Sequence, residues 1–123
     1  MINITSYNEN NIFAKILKKE LPSEIVYEDE NIVAFKDIAP QAPIHILVIP
    51  KEKFCSFNDF IEKAKKESIA KFMKSLKTVT EVLKLEDGYR LITNVGKIGG
   101  QEVPHLHFHI LAGKNMGRLT SLD

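Results

Sequence analysis

Three of the chain's four histidines fall in one five-residue run, His105-Leu106-His107-Phe108-His109, which continues into Ile110 and Leu111. Side chains on a strand alternate between faces with a period of two. The run therefore predicts a strand with three imidazoles on one face and Leu106, Phe108 and Ile110 on the other. One sheet face is then core, and the other carries groups that titrate near neutral pH. A sheet does not need such a row for stability, so the pattern points to chemistry.

The rest of the chain fits a small α+β unit. Its 123 residues suit one domain, 1–123, with polar tails at 1–11 and 114–123. A helix is predicted over 12–20, stopped by Pro22, and a hairpin of strands over 25–28 and 32–36 turns at Asp29-Glu30-Asn31. Pro40 and Pro43 hold a loop before a third strand over 44–49, and 51–59 reads as a loop with a short helical turn. Ile69, Phe72, Met73, Leu76, Val79 and Leu83 recur at three- and four-residue steps, which predicts one long amphipathic helix over 62–84 ended by Asp87-Gly88. A fourth strand is expected over 89–94, a loop at Gly96, Gly99 and Gly100, and the fifth strand over 103–111. The sum is about five antiparallel strands with two helices.

The formal net charge is +1, so no strong field favours nucleic acid or an anionic membrane. No apolar run approaches the roughly 20 residues of a membrane span, and residues 1–11 are too polar for a signal peptide. Cys55 is the only cysteine, which forbids an intrachain disulfide and fits a reducing cytoplasm. With no histidine near it in sequence, it reads as an incidental thiol.

Two chemistries suit the histidine row. Imidazoles two residues apart on a strand stand about 6.6 Å apart, a span one zinc ion can bridge, and His45 could complete a ligand set. His105 and His109, about 13 Å apart by the same rise, could not both reach one ion without a bend. The other chemistry is nucleophilic. A neutral imidazole attacks phosphorus and leaves again, splitting one hydrolysis into two easier steps, while flanking imidazoles bind phosphate oxygens or donate a proton. Gly99-Gly100-Gln101 would bring backbone N–H groups near the histidine face, where such groups cradle anions.

The run His-x-His-x-His followed by apolar residues resembles the signature of the histidine triad (HIT) superfamily, and within it the Hint-like purine nucleoside phosphoramidase branch. The likeness extends upstream through Ile12-Phe13-Ala14-Lys15-Ile16, Phe35-Lys36-Asp37-Ile38-Ala39-Pro40-Gln41-Ala42-Pro43-Ile44-His45 and Leu47-Val48-Ile49-Pro50-Lys51. It also takes in Thr93-Asn94-Val95-Gly96 and Gly99-Gly100-Gln101, and so covers about residues 12–113.

The resemblance implies a HIT-like homodimer that hydrolyses a phosphoramidate or related bond of an AMP-like purine nucleotide, with no metal or other cofactor. It casts His107 as the nucleophile and His109 as the phosphate contact that helps protonate the leaving group. His105 would orient His107, and His45 would support the triad from behind. Asp37 would hold the ribose, Phe35 and Ile38 would flank the base, and Asn94, Gly100, Gln101 and Glu102 would line the phosphate and leaving-group side. A dinucleoside polyphosphate hydrolase and a nucleotide-binding scaffold with little turnover are the other expectations. This chain departs from animal relatives at Glu102, at Lys97-Ile98, at Pro104 and in its tail, where no Trp-Pro-rich ending occurs.

Overall fold

A computed structural model describes residues 2–120. Five strands form one antiparallel sheet: β1 (Ile25–Glu28), β2 (Ile32–Lys36), β3 (Ile44–Pro50), β4 (Arg90–Ile92) and β5 (Phe108–Ala112). Their order is β1-β2-β3-β5-β4, so β1 and β4 are the edges. Three helices accompany the sheet: α1 (Ile12–Leu17), α2 (Phe57–Lys63) and α3 (Lys66–Val82).

Period-two alternation divides the apolar residues between the two faces. Ile32 and Ala34 of β2, Ile46 and Val48 of β3, and Phe108 and Ile110 of β5 join one cluster with Leu106. Phe60 of α2 and Phe72, Leu76 and Val79 of α3 cover that face. The alternate residues Val33, Phe35, Leu47 and Ile49 face the other way and pack on Phe13 of α1. The second cluster is the smaller one. Its short helix leaves room on that face for polar side chains.

Three sequence expectations change. The expected pair of helices is three: α2 forms over 57–63, partly within the 51–59 stretch expected as a loop with a short helical turn, and the long helix begins at Lys66 rather than 62 because Ala64 and Lys65 are extended, both with ψ of 149°. Between Ile61 and Ile69 only Ala64 is apolar, so no buried stripe holds a continuous helix there. The break sets the Phe60 and Phe72 rings 5.3 Å apart.

The helix stops also lie elsewhere than expected. α1 ends before Lys19, whose φ is +62°, with Glu20 N–H donating to the Lys15 carbonyl and Lys19 N–H to that of Ile16. α3 ends the same way at Lys84, with φ of +57° and Leu85 N–H donating to the Thr80 carbonyl. Both are Schellman ends in which lysine fills the left-handed position usually given to glycine. Pro22 and Gly88 therefore stop neither helix.

The fifth strand begins at Phe108 rather than residue 103, and β4 is three residues rather than six. Pro104 carries no N–H for a ladder bond. Leu106 N–H donates instead to the Phe54 carbonyl, at 2.8 Å, outside the sheet.

Ile110 lies at the centre of the helix-covered face with no exposed surface. Ile110→Ala should cost about 2–5 kcal/mol of stability, read as a lower midpoint in urea unfolding with an unchanged slope.

Candidate active site

The α1-covered face collects the histidines. β3 presents His45 and Leu47 to it, and β5 presents His109, whose backbone is in register with Leu47. His107 lies one step before β5, and Phe13 of α1 meets its ring edge-on at 4.9 Å. The His107 and His109 rings are 5.2 Å apart, as are those of His109 and His45. The alternation inferred from the sequence thus survives the loss of regular strand before Phe108. Leu106, Phe108 and Ile110 still enter the opposite core.

The hydrogen-bond partners fix which nitrogens carry protons, because a carbonyl only accepts and a backbone N–H only donates. His107 Nδ1 is 2.7 Å from the His105 carbonyl, so Nδ1 carries the proton and Nε2 keeps a free lone pair. His105 Nε2 is 3.0 Å from the Pro50 carbonyl, so that nitrogen is protonated and Nδ1 accepts from the Tyr7 hydroxyl at 2.6 Å. His45 Nδ1 accepts from Gln41 N–H at 3.0 Å, which leaves its proton on Nε2. That proton is donated to His109 Nδ1 at 2.9 Å, and the neutral His109 ring therefore carries its own proton on Nε2. Two neighbouring imidazoles thereby present opposite faculties, a bare Nε2 on His107 and an Nε2–H on His109.

Burial keeps these rings neutral. Desolvation, with the neighbouring His107 and His45 rings adding to it, pushes the His109 pKa down to about 4. Desolvation also holds His105 at about 4, against the opposing pull of the Pro50 carbonyl. His107 and His45 are lowered from the ordinary histidine value, again chiefly by burial. A lone pair that is not protonated at neutral pH is what a nucleophilic imidazole requires.

The remaining sequence candidates divide. Asp37 sits at the turn after β2, where one carboxylate oxygen accepts Ala39 N–H at 2.8 Å and the other lies 3.4 Å from His45 Nε2. Phe35 is buried beneath this face, while Ile38 is fully exposed. Asn94 donates from its amide to the Gly99 carbonyl at 2.7 Å, which shapes the glycine loop. Glu102 is exposed, and its carboxylate is near enough to His107 to favour the protonated ring slightly, against the larger effect of burial.

The anion cradle expected from Gly99-Gly100-Gln101 is not formed as such. Gly100 N–H donates to the Lys97 carbonyl and Gln101 N–H to that of Gly96, so both serve the loop itself. A Cβ on Gly99 would collide with the Val95 carbonyl, which accounts for glycine there. The Gln101 side chain turns inward. It accepts Gly96 N–H and donates to the carbonyls of Cys55 and Val103.

His105 has no exposed surface, so the row does not present three equivalent groups; His105 meets His107 through its carbonyl. Sequence reasoning missed Tyr7, the Pro50 carbonyl and Gln41 N–H as partners of the histidines. It also missed Thr93, whose hydroxyl donates to the His107 carbonyl at 2.8 Å. Tyr7, the one aromatic residue within the polar segment 1–11, was the available clue to the first. For a cation, Asp37, His45 and His109 offer ligand atoms that all lie within 4.8 Å of one another. The His45–His109 hydrogen bond occupies two of those nitrogens and would have to open to admit one.

The HIT domain profile matches residues 18–116. An uncharacterized HIT-like protein of Rickettsia prowazekii is 50% identical over 111 residues, covering 89% of this chain and 92% of that one. The purine nucleoside phosphoramidase of Escherichia coli strain K12 is 43% identical over 114 residues, covering 92% and 95%. Among solved structures, a histidine triad protein from Clostridium difficile superposes with a TM-score of 0.82 at 39% identity, covering 94% of this chain and all of that one.

The lowered histidine pKa values set the acid response. An unfolded histidine binds its proton near 6.5, whereas folded His105 and His109 bind theirs near 4. Between those values the unfolded chain holds more protons, so stability is full above about pH 6.5 and falls as pH drops toward about 4. The melting temperature followed by circular dichroism should decline across that window, and less steeply in His109→Gln. Parallel slopes in the two proteins would show that His109 titrates normally.

Proposed function

Because this chain belongs to the HIT family, we propose that it hydrolyses phosphoramidate or related bonds of a purine nucleoside monophosphate through a nucleotidyl-histidine intermediate. The observation that carries this reading is the 2.7 Å contact between His107 Nδ1 and the His105 carbonyl, which leaves Nε2 as the lone pair.

In the first step His107 Nε2 bonds to phosphorus and the bond from phosphorus to the leaving nitrogen breaks. The His45–His109 pair takes up a proton with the anionic substrate, since an adjacent negative charge raises an imidazole pKa. His109 delivers that proton to the departing amine. The buildup of positive charge on His107 is met by the His105 carbonyl. In the second step water attacks phosphorus, the bond to His107 breaks, and the water's proton returns to the His45–His109 pair. The products are a nucleoside monophosphate and an amine.

Around this centre, Phe35 and Ile38 would flank the base and Asp37 would accept the ribose hydroxyls. Asn94 and the Gly100-Gln101-Glu102 turn would border the phosphate and leaving group. An exposed Glu102 carboxylate favours an amine leaving group over a polyphosphate, whose charge it repels. Assembly as a homodimer would pair the exposed edge of the sheet with its copy, and the reducing cytoplasm suits the free, buried Cys55. Among the described residues no helix is long and apolar enough to cross a membrane.

An adenosine phosphoramidate should be turned over faster than a diadenosine polyphosphate by the purified protein. The opposite ranking would replace this reading with that of a dinucleoside polyphosphate hydrolase, and failure on both with that of a binding protein. His107→Ala should lower kcat by at least about a thousandfold while nucleoside monophosphate affinity stays within about threefold.

Asp37→Ala should weaken AMP by roughly tenfold to a hundredfold, the equivalent of a charge-assisted bond of about 1.5–3 kcal/mol. The 2′-deoxy analogue should lose much less. Calorimetry on both ligands separates ribose recognition from loss of the Ala39 turn, which would weaken the two equally.

A further inference from the structure

The segment before α1 reads as a polar tail in the sequence, yet its Tyr7 reaches the buried His105. Asn11 caps α1 by accepting Ala14 N–H at 2.8 Å, and its amide donates to the Asn8 carbonyl at 2.7 Å. Glu9 pairs with Lys53 at 2.5 Å, in the connection that follows β3. Just before these anchors, Tyr7 projects onto His105. Its ring meets the imidazole edge-on at a centroid distance of 5.5 Å, and its hydroxyl reaches Nδ1 at 2.6 Å.

We propose that Tyr7 is a positioning residue of the His107 centre: its hydroxyl, with the Pro50 carbonyl opposite, clamps the His105 ring whose own carbonyl holds the His107 tautomer.

His105 is fully buried, so its Nδ1 has no access to water as a substitute partner. With the hydroxyl gone, a buried acceptor is left unpaired. The ring then gains by rotating or exchanging tautomers, and either change disturbs the Nε2–H bond to Pro50. The peptide carbonyl of the same residue accepts His107 Nδ1–H, so its aim depends on where His105 is held. Burial raises the Tyr7 phenol above its ordinary value, which keeps the hydroxyl a donor at any working pH. The effect reaches substrate only through His105 and His107. It therefore falls on the step that forms the covalent bond, not on nucleotide binding.

The activity readout rests on the phosphoramidase reading; the spectroscopic one does not. Tyr7→Phe keeps the ring against His105 and removes only the hydroxyl, whereas Tyr7→Ala removes both. Both variants should lower kcat for an adenosine phosphoramidate by about tenfold, with KM within about twofold. In ¹⁵N-labelled Tyr7→Phe protein the His105 Nδ1 resonance should move downfield as it loses its donor. The His107 Nδ1–H proton signal should move upfield or broaden by exchange with water. A Tyr7→Phe protein with wild-type kcat, or one whose loss lies in KM, would overturn the proposal. So would unchanged imidazole resonances. Should the wild-type protein leave the phosphoramidate intact, the function reading fails, and the two resonances still decide the role of Tyr7.

Discussion

A single backbone carbonyl decides what the centre can do. The His105 C=O sits 2.7 Å from His107 Nδ1 and, being unable to donate, commits the ring's proton to that nitrogen. Without that commitment a neutral imidazole divides its lone pair between two positions. With it, the pair is always on Nε2, beside a His109 ring turned the other way. The second commitment comes from Gln41 N–H, acting through His45. Each of these two imidazoles is thus set by a main-chain group, His107 directly and His109 through His45. Main-chain groups do not titrate, and their aim is fixed by the fold.

The fold supplies that aim by treating the two sheet faces differently. Four large aromatics, Phe54, Phe60, Phe72 and Phe108, fill the helix-covered side. The opposite side has only a six-residue helix, held by its Asn11 cap and its Schellman end. The vacant area is where polar rings stand in a low-dielectric setting. Buried polar groups there are costly unless paired. Among the described residues none of the buried side-chain nitrogens or oxygens lacks a partner.

Much of this was legible from local patterns. The assignment of Leu106, Phe108 and Ile110 to the core follows from alternation, while the other strands and their antiparallel pairing follow from apolar runs bounded by turns, as at Asp29-Glu30-Asn31. Other features depend on contacts distant in sequence and so leave no local mark. Gln101 bonds to Cys55, 46 positions away, and His105 to Pro50, 55 positions away. Nothing near either residue indicates those bonds. Local propensity also misled: lysine at φ above +50° ends both α1 and α3, where the eye looks for glycine or proline. There the six-to-one and five-to-two hydrogen bonds outweigh the small steric cost of a left-handed lysine.

The division of residues 105–110 between two faces also says which kinds of sequence change the chain can accept in this stretch. Leu106, Phe108 and Ile110 could exchange among apolar side chains of similar volume at modest cost. A single inserted or deleted residue is different in kind. It would shift the parity of everything beyond it, turning imidazoles into the aromatic core and apolar side chains into the polar face. Both losses, of packing and of chemistry, would arrive with one codon. Length in this segment is thus held more tightly than identity, and descendants of this chain can diversify here by substitution but not by insertion or deletion.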